Sequence, residues 1–130
     1  KEESVTEQKN SLAVCLDNIL RHAGITRNTE YDLAQGKTAT TILSENMTGV
    51  QVLDLSGCTL DAVLYYVNQD IPVLAILEDG EAVLVTGFNE FNVVIMEPAT
   101  GKLYKKGMND ATAWFAENGN HFITYMRTEN

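Results

Sequence analysis

The sequence predicts a single α+β domain, with helices first and a mainly antiparallel sheet second. Three observations carry that prediction. Apolar residues recur at helical spacing between Ser11 and Gly24 and again between Thr59 and Val67. From Pro72 onward the texture changes to short apolar or alternating runs separated by turn signals. The 130 residues, 45% of them hydrophobic, suffice for one core and are too few for two ordinary domains. Residues 1–10, KEESVTEQKN, are polar and read as a linker or N-terminal arm, with Val5 as one weak apolar anchor. Residues 11–130 read as the domain. The chain opens at Lys1 with no initiator Met and no targeting signal, which reads as a piece of a longer host protein.

The elements follow in order. In SLAVCLDNILRHAG, the residues Leu12, Cys15, Leu16, Ile19 and Leu20 share one helical face. Asn10 or Ser11 can cap its start, and Gly24 can supply a left-handed stop. A shorter helix spans about Thr38 to Asn46 and ends at Met47-Thr48-Gly49. VQVLDL is a short strand. Thr59 begins a helix that stops before Pro72, because proline disfavours helical backbone at the preceding Ile71. PVLAIL fits a strand buried on both faces. Glu78-Asp79-Gly80 is a turn, AVLVTGF the next strand, and NVVIME the one after. KLYKK is a short edge-like strand whose lysines discourage edge pairing. Asn109 or Asp110 can cap a short helix carrying Trp114 and Phe115, and HFITYMR closes as a last strand. Trp114, Phe115 and Phe122 are expected in the core, with Tyr65 or Tyr66 reaching the surface.

Charge and composition exclude several classes of function. Nine basic residues against eighteen acidic ones leave a net charge of −9, which repels phosphate backbones and anionic lipid surfaces alike. Nucleic acid is therefore a poor partner. The apolar runs reach only about half of the ~20 residues of a membrane span, so no membrane insertion by this segment is expected. Two cysteines and two histidines, scattered, do not supply a zinc site of about four ligands, and no metal or cofactor is expected. A Cys15–Cys58 bridge stays open at this level.

Three segments together resemble a known family: the papain-like cysteine peptidase domains that process double-glycine leader peptides of bacteriocins. The first is the run from Ser11 to Gly24. Aligned on Leu16, Leu20 and Gly24, the family's nucleophilic cysteine falls on Ser11, and Cys15 falls on a second, non-catalytic position. The second is Ile71-Pro72-Val73-Leu74-Ala75-Ile76-Leu77, leading into Gly80-Glu81-Ala82-Val83-Leu84-Val85-Thr86-Gly87-Phe88, where Glu81 holds the position of the catalytic histidine. The third is Met96-Glu97-Pro98-Ala99-Thr100-Gly101. Here Glu97, sixteen residues after Glu81, holds the position of the orienting aspartate. The family's oxyanion glutamine has Gln8 as its one candidate, at a spacing that looks too short.

The resemblance implies a papain-like fold with N-terminal helices packed on an antiparallel sheet, and a cleft that accepts an extended peptide. It also implies a bacterial source, with a cell-surface or secreted location slightly favoured. The departures remove the reaction. A serine hydroxyl ionises far less readily than a thiol, and a carboxylate with a pKa near ~4 is a poor base for it. With no imidazole between them, Glu81 and Glu97 cannot reproduce the proton shuttle of a triad. The functional expectation is a degenerate triad at Ser11, Glu81 and Glu97 in a catalytically inactive domain. That domain binds a peptide or protein, or regulates its host, and its acidic lining favours basic segments.

Each residue also has a plainer reading. Ser11 is a natural N-cap, Glu81 an exposed hairpin residue and Glu97 a solvated strand end. Cys15 lies one turn after Ser11 in a core-facing stripe, which favours burial. Cys58 reads as a partly buried helix-start residue, His22 as a cation in the last turn of its helix, and His121 as an ordinary strand residue. The rival function is an active cysteine hydrolase that uses Cys15 with His22 or His121. A pair of carboxylates also fits glycoside hydrolysis or a divalent cation site, but no calcium-loop pattern accompanies it.

Overall fold

The computed structural model describes residues 10–128. The expected arm therefore lies, apart from Asn10, outside the described residues, as does Gln8. The first helix, α1 (Ser11–His22), starts at Asn10, whose side-chain oxygen accepts the N–H groups of Leu12 at 2.8 Å and Ala13 at 3.3 Å. Asn10 alone is the cap, which leaves the hydroxyl of Ser11 free for another partner. The helix ends in a Schellman arrangement. Gly24, at φ +85°, turns the chain so that Ile25 N–H reaches the carbonyl of Leu20 and Gly24 N–H that of Arg21.

A five-residue helix, α2 (Glu30–Ala34), was not expected from the sequence. It is too short for an apolar period, and Thr29 before it makes no side-chain cap. The buried Thr29 instead ties this segment to α1. Asp17 Oδ1 accepts both the Thr29 hydroxyl, at 2.7 Å, and the Thr29 N–H, at 2.8 Å. Beyond it, α3 (Ala39–Asn46) is capped by Thr38, and α4 (Leu60–Val67), which follows β1, is capped by Thr59. The last helix, α5 (Met108–Glu117), begins at Gly107 rather than at Asn109 or Asp110. Strand β5 runs straight into it, so no separate cap intervenes, and Asp110 sits in the first turn, where the helix dipole favours it.

The strands are β1 (Val50–Asp54), β2 (Val73–Ile76), β3 (Ala82–Phe88), β4 (Asn92–Glu97), β5 (Lys102–Gly107) and β6 (His121–Arg127). They form one antiparallel sheet in the order β1-β6-β2-β3-β4-β5. The run from β2 to β5 is the expected meander. The last strand, β6, returns to lie between β1 and β2.

The helices cover both faces of the sheet, an arrangement of sides that the sequence left open. Side chains alternate along a strand, and two separate clusters show the result. On one face Cys15, Leu16, Ile19 and Leu20 of α1 and Ile42 and Leu43 of α3 pack on Leu74, Leu84 and Met96. On the other, Leu60, Val63 and Leu64 of α4 and Phe115 of α5 pack on Val73, Val85, Ile95 and Phe122. Phe115 and Phe122 meet edge to face at 5.3 Å, while Trp114 is only half-buried at the rim. Tyr65, not Tyr66, is the exposed residue of its pair. Cys15 and Cys58 are both free thiols and pack on opposite faces, so no bridge joins them.

Phe122→Ala is expected to cost about 3–5 kcal/mol in urea unfolding, because it empties a fully enclosed ring site. The Leu16→Ala change should cost about 2–5 kcal/mol, from the other side of the sheet.

Candidate functional site

The first turn of α1 meets the start of β3. Ala82 N–H donates to Ser11 Oγ at 2.9 Å, across 71 residues of chain. The hydroxyl left free by the Asn10 cap is therefore an anchor between helix and sheet. Ser11 and the Glu81–Ala82 step are brought together, but the group that touches Ser11 is the backbone of Ala82, not the Glu81 carboxylate.

Glu81 precedes β3 and is exposed. Its N–H donates to Asp79 Oδ1 at 2.9 Å and its carbonyl accepts Leu77 N–H at 2.7 Å, which closes the hairpin turn. Glu97 ends β4, half-buried, and its carboxylate accepts Ala99 N–H at 2.7 Å. Leu84 pairs with Met96, so continuing the ladder one step sets Glu97 beside Val83. Ala82, Leu84 and Met96 pack in the α1 cluster, while Glu81 precedes β3 in the hairpin turn and Glu97 closes β4. The three positions thus share one end of the sheet, with no hydrogen bond from Glu81 or Glu97 to Ser11.

Cys15 lies one turn further along α1 and is 0% exposed. Burial, and secondly the negative charge of Glu97, push its thiol up to about 12. At neutral pH it is a protonated core thiol. Neither histidine is set against it. His22, at the far end of α1, has Nε2 3.0 Å from the carbonyl oxygen of Asp70 and 3.9 Å from its carboxylate. His121 opens β6 on the α1 side of the candidate site, near Asp54. The arrangement that the rival hydrolase needs, a thiolate with a neighbouring imidazole, is not built.

Open space begins at Leu12, the residue after Ser11. A cavity of about 310 Å³ is lined by Leu12, Leu33, Thr38, Asp54, Ile76 and His121, among others. A second, of about 390 Å³, shares Ile76 and His121 and adds Ser56, Glu78 and Asn118. The two form a broken groove beside the α1 terminus. Within it Asp54 Oδ1 accepts the Ser56 hydroxyl at 2.6 Å and the Ser56 N–H at 3.0 Å. These two bonds, with the charge of His121 a lesser cause, hold the Asp54 carboxyl below its usual range. Sequence reading missed Asp54 and Ser56 as site neighbours. They reach the groove only because β6 returns beside β1, a pairing that no local pattern announces. Among the described residues no group of three or more His, Cys, Asp or Glu could hold a metal ion.

No family model matches the chain, and no curated protein matches it. A solved structure does. It is the crystal structure of a Bacillus anthracis protein described as a candidate C39-like peptidase, with a TM-score of 0.78. The match covers 99% of this chain and 94% of that one, at 13% sequence identity. The chain therefore has a fold similar to that of a C39-like peptidase, with five helices around a six-stranded antiparallel sheet among the described residues.

Two outcomes test the local geometry. Ser11→Ala leaves Ala82 N–H without its acceptor and is expected to cost about 1–3 kcal/mol in urea unfolding. With iodoacetamide at neutral pH, Cys58 should label in the folded protein, and Cys15 only once the chain is unfolded. Peptide mapping by mass spectrometry reads both sites.

Proposed function

We propose that this chain is a papain-like peptidase domain that keeps the scaffold and lacks the reaction. It serves to bind a peptide or protein segment, or to regulate a larger host protein. One observation supports the reading above the others. Where the resembled family opens its first helix with a cysteine, this chain has Ser11, whose hydroxyl accepts a backbone N–H from the start of β3. No imidazole hydrogen-bonds to it. His22 meets the carbonyl of Asp70, His121 lines the cavity beside Leu12, and Cys15 is sealed away. The C39-like fold is consistent with the family that the sequence resembles.

Ser11, Glu81 and Glu97 are the proposed ligand-contacting positions. Two carboxylates at one end of the sheet, in a chain of net charge −9, favour basic peptide segments. The test is fluorescence anisotropy with a lysine-rich extended peptide and its glutamate counterpart. Parent protein is expected to prefer the lysine peptide. Glu81→Ala and Glu97→Ala should each weaken it about two- to fivefold, the scale of an exposed ion pair. Equal affinity for parent and both variants removes this site from the account.

A further inference from the structure

The other end of the sheet order carries a second surface. Strand β5 is the sheet's edge, and among the described residues no strand pairs with its outer side. Its ladder to β4 is continuous from Asn92 opposite Gly107 to Glu97 opposite Lys102, with no bulge. It also lacks proline. Alternate residues of such a strand present N–H and C=O groups outward, ready for another strand.

The side chains on this edge are unusual for the molecule. Lys102, Lys105 and Lys106 supply three of the nine basic residues in an otherwise acidic chain. Lysines alone would read as protection against edge pairing. Protection does not account for the apolar groups among them: Leu103 is 61% exposed and Tyr104 39%. Phe91, 70% exposed, stands at the same end as Gly107, and its carbonyl accepts Met108 N–H just after the strand. A cavity of about 340 Å³ lies there, between Phe91, Met108 and Asp110. Of the seven large hydrophobic residues exposed among the described residues, four lie on β5 or the β3–β4 hairpin: Phe88, Phe91, Leu103 and Tyr104.

We propose that the free edge of β5 is a docking strand for an extended, acidic segment of a partner protein, which adds to the sheet beside it. Main-chain hydrogen bonds supply the pairing, and alternate side chains supply the choice of partner. On the α5 side, Lys102, Tyr104 and Lys106 share a face, with Lys106 4.9 Å from the centre of the Trp114 ring. That face fits two acids flanking an apolar or aromatic residue. The opposite face, Leu103 and Lys105, fits an apolar residue and one acid. A second copy of this chain fits poorly. Antiparallel self-pairing centred on Tyr104 sets Lys102 of one copy opposite Lys106 of the other, and like charges directly opposite destabilise a strand pair. Glu97 stands opposite Lys102 at one end of this edge, but the ligand charge is the reverse of that proposed for Glu81 and Glu97, so either reading can fail alone.

The probe is a short acetylated peptide that alternates glutamate with valine around one tyrosine, titrated into the intact chain and followed by anisotropy and backbone amide shifts. Binding is expected to perturb the amides of residues 102–107 and to weaken with added salt. It should fall about tenfold in a Lys105→Glu/Lys106→Glu variant, the scale of two or three exposed charge pairs. Circular dichroism and a urea midpoint confirm that the variant folds. The lysine counterpart of the peptide, and a version N-methylated at alternate amides, should bind at least as weakly as the charge-reversed protein allows. No binding of the acidic peptide, equal affinity for its lysine counterpart, shifts confined to residues outside β5, or a β5-mediated dimer of the chain itself would overturn the proposal.

Discussion

The fold at the candidate site depends on where the first turn of α1 is held. Asn10 caps the helix, which releases Ser11, and Ser11 accepts the N–H of Ala82 at the first residue of β3. Helix and sheet are joined at that point by a bond to the main chain, independent of any side-chain identity on β3. The apolar stripe of α1 then lies along the sheet, with Cys15, Leu16 and Ile19 packed in turn. A donor–acceptor pair at this junction matters more than its net worth of about 1 kcal/mol. It fixes which group meets the serine hydroxyl, and that group is an amide rather than a base.

The sheet separates two cores, and this separation sets where the two cysteines lie. Cys15 belongs to the α1–α3 side and Cys58 to the α4–α5 side, so two thiols that are merely distant in sequence are also divided by a layer of backbone. Ala82 and Met96 pack on the same side as Cys15. Glu97 remains near enough for its charge to oppose ionisation of Cys15, in the same direction as burial. An acid beside a buried thiol stabilises the protonated form, the reverse of what a nucleophilic cysteine requires.

Much of the fold was legible in the sequence because its signals are local. Thr38 and Thr59 announced two helices, Gly24 the end of the first, and Asp79-Gly80 the hairpin before β3. What stayed hidden is non-local. Helical period tells which face of α4 is apolar, but not which side of the sheet receives it. The return of β6 between β1 and β2 brings His121, Asp54 and Ser56 to one groove, and nothing in HFITYMR or VQVLDL states that pairing. The helix EYDLA was too short to show a period. For the site, the resemblance singled out Ser11, Glu81 and Glu97, and their placement at one end of the sheet is a matter of register. The direction each side chain takes had to come from register.

We propose that a C39-like scaffold stands here without a working nucleophile. The most direct measurement is incubation of the intact chain with peptides containing a double-glycine step, followed by mass spectrometry of the products. This account predicts no cleavage above the buffer background, at neutral or mildly alkaline pH. Cleavage after the double glycine that disappears in Ser11→Ala or Cys15→Ala protein would contradict it.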